Sequence, residues 1–547
     1  MKKFFTWLDH HILTILTGIL IVVIPLYPKL PLADLIEGYI VRLRLEDILI
    51  GFTVLIWFVQ LLRKKIVIPR HRVAQLIVIY LVIGVLSSLS AIYVTKTVPL
   101  ERAHLFKLAL HLFRRFEYFS LFFIAYSGVK TKRDLKVLVW TALITLLATV
   151  LYGFGQKYLY WPAFSTMNRE FSKGMRLYLT PTSRVMSTFG GHYDYAAYLM
   201  MVLSFLIPAV WLIRRKLLAW ILGFITLAAY WSLILTASRA SFIGYVVGLS
   251  AVAVMLVKSQ GWKWVLKKWA ITMSISFFIM LFFGDLSERF YQIVQSPAAM
   301  HKFIPWMEPG EIEAKMYQVK DFGYKLTYLK NQIIGSFKPA PPPNSISTDE
   351  LEKVAVSSDI PPQTSRPLPP DVTLEQELVR DEEATKSATV SATTGGYSAN
   401  ALKYGLSVAI RLDALWPRAI EGFKRNPLLG SGYSTLTKSN NEEFTQAEST
   451  DNDYLRMIGE TGILGTVSFI GILLTLAYLA VKQLTVTKSR LNQIIYLGAI
   501  GSIVAIMVNA TYIDVFESSK VAYTLWIVAA FLVRTVELER KNVENNP

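Results

Sequence analysis

Long continuous blocks of apolar residues organise this chain and constrain its fold more than any other feature. A helix needs about 20 mostly apolar residues to cross the hydrocarbon layer of a membrane. Twelve blocks approach that length, at about 12–27, 48–62, 73–93, 108–126, 135–154, 195–213, 217–236, 242–257, 269–283, 458–481, 494–512 and 522–533. Their apolar residues fall in long blocks rather than at amphipathic spacing. The expected fold class is therefore all-α and polytopic, with about twelve transmembrane helices. The first block follows the basic Lys2 and Lys3 but leads into Pro25, Pro28 and Pro31 instead of a small-x-small cleavage site. It reads as a retained span, not a cleaved signal peptide.

Composition supports this and removes other classes. Of the 547 residues, 53% are hydrophobic and 18% charged, against about 25% charged in ordinary soluble domains. There is no cysteine, which excludes disulfide scaffolds, thiolate metal sites, cysteine nucleophiles and iron–sulfur clusters. The net charge of +18 would suit a nucleic-acid binder only if it formed a soluble basic face. It does not. Residues 285–453 hold 17 Lys and Arg against 23 Asp and Glu, a net −6, so the rest of the chain carries +24. Basic clusters fall in alternate loops: Lys2 and Lys3; Arg63 to Arg72; Lys130 to Lys136; Arg214 to Lys216; Lys258 to Lys268; Lys482 to Arg490; and Arg534 to Lys541. By the positive-inside rule these clusters and both termini are cytoplasmic. The expected location is the cytoplasmic (inner) membrane, with any active site extracytoplasmic and no nucleic-acid partner.

Three regions follow: spans one to nine at 1–284, an extracytoplasmic loop domain at 285–457, and spans ten to twelve with a cytoplasmic tail at 458–547. A shorter external segment runs from about 156 to 194. Within the large loop, 337–400 is rich in Pro, Ser, Thr and acidic residues. Such a composition cannot bury a core, so it reads as a disordered insertion. On either side, 311–329 and 407–425 read as surface helices, with Pro417 beginning or kinking the second.

The outer loops carry the residues of interest. Arg184 and His192 stand just before the sixth span. Arg184 is either an interfacial arginine reaching headgroups or an anion ligand. Thr236-Ala-Ser-Arg-Ala240 joins the seventh and eighth spans in so short a loop that Arg239 is held at the membrane surface. A charge there needs a salt bridge to another span or an anionic ligand. The large loop ends with Arg411-Leu-Asp-Ala-Leu-Trp-Pro-Arg418, Asn426-Pro-Leu-Leu-Gly-Ser-Gly432 and Glu448-Ser-Thr-Asp-Asn-Asp-Tyr-Leu455, then Gly459-Glu-Thr-Gly-Ile-Leu-Gly465. The glycines at 459, 462 and 465 suit close helix packing. The fourth block holds His111, Arg114, Arg115 and Glu117. These are either functional intramembrane groups, a packed Arg–Glu pair, or a sign that the span begins nearer Phe116.

In this order the motifs resemble those of the O-antigen ligase and O-antigen polymerase superfamily, bacterial membrane glycosyltransferases. The resembling pieces are Arg184 with Thr188-Phe-Gly190, the Thr-x-Ser-Arg-Ala of 236–240, Asn426 to Gly432, and Asn452-Asp-Tyr-Leu455 with Glu460-x-Gly462. The stretch covers about 184–465, and the twelve-span layout extends it over nearly the whole chain. The proline-rich insertion has no counterpart.

The resemblance implies a chemistry. A glycan on a polyprenyl diphosphate is the donor, and the hydroxyl of a glycan, lipid or protein acceptor attacks its anomeric carbon. Arg184 and Arg239 match the family's two phosphate-binding arginines and would stabilise the departing diphosphate. No metal or cofactor is implied. His192, Arg411, Arg418, Glu448, Asn452, Asp453 and Glu460 are the accompanying substrate-binding candidates. Asp451 stands where the family commonly has a histidine that activates the acceptor. An unperturbed aspartate, with a pKa near 3.9, is a weak base for a sugar hydroxyl. Asp451 is then the base, or Glu448 or His192 has taken that role, or the acceptor differs, or activity is lost. The competing class is a transporter or flippase of lipid-linked saccharides, which would place its polar groups at mid-membrane on broken or repeated helices.

Overall fold

The computed structural model describes residues 2–36, 42–167, 171–179, 183–282, 286, 411–436 and 450–544. Helix α1 (Lys2–Leu26) leads into two short antiparallel strands, β1 (Pro31–Asp34) and β2 (Arg42–Arg44), with Ala33 opposite Leu43 and Asp34 opposite Arg42. Then come α2 (Leu45–Leu62), α3 (Arg72–Tyr93), α4 (Arg102–Gly128) and α5 (Lys132–Tyr158). They are followed by α6 (His192–Leu212), α7 (Lys216–Leu235), α8 (Arg239–Gln260) and α9 (Trp262–Phe282). After the large loop come the short α10 (Trp416–Arg425), then α11 (Asp453–Leu484), α12 (Arg490–Asn509) and α13 (Ser519–Glu544).

Eleven of these helices are long and apolar enough to cross a membrane. The chain is an all-α, multi-pass membrane protein. Helix α4 is as long as any but α11, at 27 residues, yet its first sixteen residues include Lys107, His111, Arg114, Arg115 and Glu117. It packs among α1, α2, α3 and α13.

The helices outrun the apolar blocks because polar caps, not hydropathy, set their ends. Thr131 and Asp134 form a capping box at the start of α5, Ser238 accepts from Ser241 N at α8, and Ser489 from Asn492 N at α12. Asn452 accepts from Tyr454 N and Leu455 N, so α11 begins five residues before its apolar block. Each cap satisfies amides the first turn leaves open. Pro417 lies in the first turn of α10, where a missing N–H costs nothing. The segments 311–329 and 337–400 lie outside the described residues.

The core is built on α6, with 83% of its apolar window buried. Small residues let α8 close on α12. A Cβ on Gly248 would lie 2.6 Å from the Gly501 carbonyl oxygen, and one on Gly244 2.8 Å from that of Ala505. This is the small-residue packing that membranes favour.

Helix α11 is broken at Gly462, whose φ of +64° is non-helical. Glycine tolerates this region and other residues rarely do. The break is mended by the loop after α10. Ser431 N donates to Gly459 O at 2.9 Å and Gly432 N to Glu460 O at 2.9 Å. Ile463 N and Leu464 N donate in return to Pro427 O and Leu428 O at 2.9 and 3.2 Å. Irregular backbone at membrane depth survives only when protein supplies its partners, and Asn426–Gly432 supplies them here. The sequence expectation of helix packing for glycines 459, 462 and 465 is corrected accordingly. A Cβ on Gly462 would meet the Leu428 backbone at 2.4 Å, whereas one on Gly465 would meet Thr461 of its own helix at 2.0 Å. Only Gly459 faces another helix, with Ala419 O of α10 at 2.8 Å.

Candidate functional site

Alternating helix direction gathers one set of ends: the close of α1, α3, α5, α7, α9 and α12, and the start of α2, α4, α6, α8, α11 and α13. Lys520, in the first turn of α13, is 1% exposed. It donates to Pro25 O at 3.2 Å, Tyr27 O at 2.6 Å and Thr188 O at 2.8 Å, and lies over the Phe189 ring. One buried ammonium thus ties the end of α1 and the turn before α6 to α13.

That turn presents Arg184. Its Nη1 donates to His192 Nε2 at 2.6 Å and to the Tyr193 hydroxyl at 3.2 Å. Guanidinium has no acceptor, so Nε2 accepts and His192 is neutral in this arrangement. His192 is buried and Arg184 half-buried. The Arg184 partners are an imidazole and a phenol, and no carboxylate among the described residues neutralises it. Val185 N donates to Leu235 O at 3.1 Å, which sets this segment against the end of α7, four residues before Arg239. Arg239 is half-buried in the first turn of α8, and its side chain makes no hydrogen bond or ion pair with any described residue. Its helix start is held by Ser241, which accepts from Asn509 Nδ2 at 3.1 Å.

Asp451 and Arg411 come together. Arg411 Nη2 lies 3.0 Å from Asp451 Oδ2, and its guanidinium stacks 4.1 Å over the Tyr512 ring. Asp451 has φ +49°, a left-handed conformation that aspartate adopts more readily than most residues. The neighbouring candidates serve the chain itself. Asn452 caps α11 and donates to Thr511 O at 3.1 Å. Asp453 is buried, with its carboxylate accepting from Phe516 N at 3.0 Å. Arg418 lies half-buried on α10. Glu448 lies outside the described residues.

Glu460 belongs to a deeper ionic lattice that the sequence reading missed. Arg456 reaches Glu460 at 3.4 Å, Asp514 at 3.2 Å and Glu517 at 3.7 Å. Arg115 pairs with Glu517 and lies 3.9 Å from Glu460. Burial pushes the Glu517 carboxyl up, but Arg115 and Arg456 outweigh it and hold it below its usual range. Arg114 joins Asp47 at 2.8 Å and Glu117 at 3.0 Å, so the packed Arg–Glu pair read on α4 is present within a larger network. Asp514 accepts from Thr450 N and Asn452 N, both at 2.9 Å. The lattice therefore fixes the backbone on either side of Asp451. Buried charges need such mutual pairing and hydrogen bonding to be tolerated. Asp514 and Glu517 have no motif around them. Their one signal is two acids in the short connection before the last apolar block.

The arrangement offers two half-buried guanidiniums without counter-anions among the described residues, one neutral imidazole, and one carboxylate held by an arginine. It suits an anion better than a cation. No protein-family model and no curated protein matches the chain.

Proposed function

We propose that this chain is a membrane glycosyltransferase, similar to O-antigen ligases, with twelve spans and both termini in the cytoplasm. It transfers or polymerises a saccharide from a polyprenyl-diphosphate donor onto an acceptor hydroxyl at the outer face of the cytoplasmic membrane. One observation carries this reading: Arg184 and Arg239 stand half-buried on adjoining segments with no carboxylate partner among the described residues. A diphosphate supplies the missing charge.

In the reaction the acceptor oxygen bonds to the anomeric carbon, and the bond from that carbon to the diphosphate oxygen breaks. Negative charge grows on the leaving diphosphate. Fixed guanidinium groups stabilise that charge without reorganising, and bidentate arginine contacts suit phosphate oxygens. The acceptor proton passes to a base, and Asp451 is the carboxylate nearest to the family's histidine position. Arg411 and Tyr512 orient it. Asn452, Asp453 and Glu460 frame the site, while Arg418 and Glu448 stay substrate-binding candidates on the large loop.

A flippase of the same lipids is the second reading, and the break in α11 favours it, because transporters bind substrate at interrupted helices. The amides and carbonyls at this break are already bonded to 427–432, which counts against it.

Reconstitution with labelled lipid-linked oligosaccharide and candidate acceptors tests the proposal. Arg184→Ala and Arg239→Ala should each lower transfer about 10²–10³-fold, the usual cost of one preorganised donor. Undiminished transfer by both variants, or lipid translocation without transfer by the wild type, would overturn it.

A further inference from the structure

A third arginine at the same end of the bundle has no side-chain ion pair among the described residues, and it lies on different elements. Arg44 ends β2 and precedes the first turn of α2. It is 8% exposed, and its Nε is interior with no hydrogen-bond partner. Among the described residues it forms no ion pair, whereas Arg42, two residues earlier on the strand, pairs with Asp34 at 3.1 Å.

The surrounding groups are committed elsewhere. Lys29 is bonded to Glu46 and Ser519, and Lys520 to three carbonyls. Asp47 takes the Arg44 backbone N–H at 2.9 Å and Arg114 at 2.8 Å. Arg44 exerts its field on Lys29, Glu46, Asp194 and Lys520. Glu46 is taken by Lys29, and Asp47 and Glu117 by Arg114, so no carboxylate among the described residues is paired with the Arg44 guanidinium, which sits in a nearly dry place. A buried guanidinium without an acceptor is costly, and a bound anion removes the cost.

The surroundings narrow the kind of anion. Leu45 and Ile48, in the first turn of α2, are 41% and 48% exposed, and Leu32 of β1 is 52% exposed. Exposed Phe52 and Leu55 continue the apolar strip along α2. A phosphate with an apolar chain matches both the charge and the strip, since the guanidinium fork fits phosphate oxygens. We propose that Arg44 binds the phosphate of a membrane amphiphile at the edge of the bundle, in a site separate from Arg184 and Arg239. The phosphate belongs either to a bilayer phospholipid headgroup or to a polyprenyl lipid. The inference does not depend on glycosyl transfer.

The test uses the full chain purified in uncharged detergent. Phosphatidylglycerol, a polyprenyl monophosphate, and an uncharged diacylglycerol are titrated while Tm and bound lipid by native mass spectrometry are followed. The wild type and an R184A/R239A double variant should bind at least one phosphate amphiphile alike, and neither should bind diacylglycerol. R44Q should weaken that binding at least tenfold. Loss confined to phosphatidylglycerol identifies a headgroup site, and loss confined to the polyprenyl phosphate a carrier-lipid site. If R44Q does not fold, R44K keeps the charge without the fork and should still weaken binding several-fold. Binding unchanged in R44K or R44Q, binding lost only in R184A/R239A, or no phosphate binding by the wild type each overturns the proposal. Binding lost only in R184A/R239A leaves the donor reading intact.

Discussion

Arg184 Nη1 donates to His192 Nε2 across 2.6 Å, and this bond holds in place a half-buried cation that has no carboxylate partner among the described residues. The turn that carries Arg184 is pinned by Lys520, and the helix that carries His192 begins where that turn ends. Both partners are thereby fixed before any ligand arrives, which is the preorganisation that charge-stabilising catalysis requires.

His192 should act by positioning Arg184. His192→Phe removes the acceptor and should lower transfer about 10–100-fold, since a hydrogen bond to a charged group contributes about 1.5–3 kcal/mol. His192→Gln restores an acceptor and should recover most of the activity. Measuring kcat and KM for labelled lipid-linked donor checks this. Equal loss in both variants would assign His192 a proton-transfer role instead.

The Arg411–Asp451 pair gives a second expectation. Asp451→Asn should abolish transfer while donor binding persists, because in the proposed reaction the carboxylate accepts the proton and the arginines hold the diphosphate. Arg411→Met should leave donor binding within threefold and lower kcat. Donor affinity by native mass spectrometry, alongside single-turnover transfer, separates the two effects. Full transfer by Asp451→Asn removes that residue from the base role.

The ionic lattice predicts a pH dependence of stability. The Glu517 carboxyl is held below its usual range in the folded chain. Its contribution is therefore fully present above the unfolded glutamate pKa, about 4.3. It is lost as pH falls through the lower, folded value. Thermal melts between pH 7 and pH 3 should show the wild type losing stability at the acid end. Glu517→Gln should be less stable at pH 7 by about 3 kcal/mol, the low end for breaking a buried pair, with a shallower acid slope. Parallel slopes for the two proteins would contradict the assignment.

The mended break in α11 predicts a sharp contrast between glycines of one helix. Gly462→Ala should destabilise by more than about 1–2 kcal/mol, the cost of a left-handed backbone for an L-residue, because its Cβ also meets the Leu428 backbone at 2.4 Å. At Gly471 a Cβ meets nothing within 4 Å, so Gly471→Ala should be neutral or stabilising by up to about 1 kcal/mol. Thermal unfolding followed by size-exclusion chromatography distinguishes them.

Much of the architecture was legible in the sequence because its causes are local. Length and apolarity of a block specify a spanning helix regardless of what it packs against, so eleven of the twelve blocks reappear as helices apolar enough to cross. The fourth differs because half of α4 spends its length pairing charges. The candidate site was legible in part. Arg184, Arg239 and Asp451 stand out through the short motifs around them, and the two arginines also because they lie apart from the basic clusters.

What the sequence determined by itself was the membrane class, the helical fold and the alternation of basic loops, all of which depend on transfer free energies summed along short windows. Only the tertiary structure decided which charges are balanced. Arg115 finds Glu517 across 402 residues of chain and Arg411 meets Tyr512 across 101, and no window contains both members. Charge compensation is a property of neighbours in space. That Arg184, Arg239 and Arg44, each at least half-buried, have no carboxylate partner among the described residues is visible only in three dimensions.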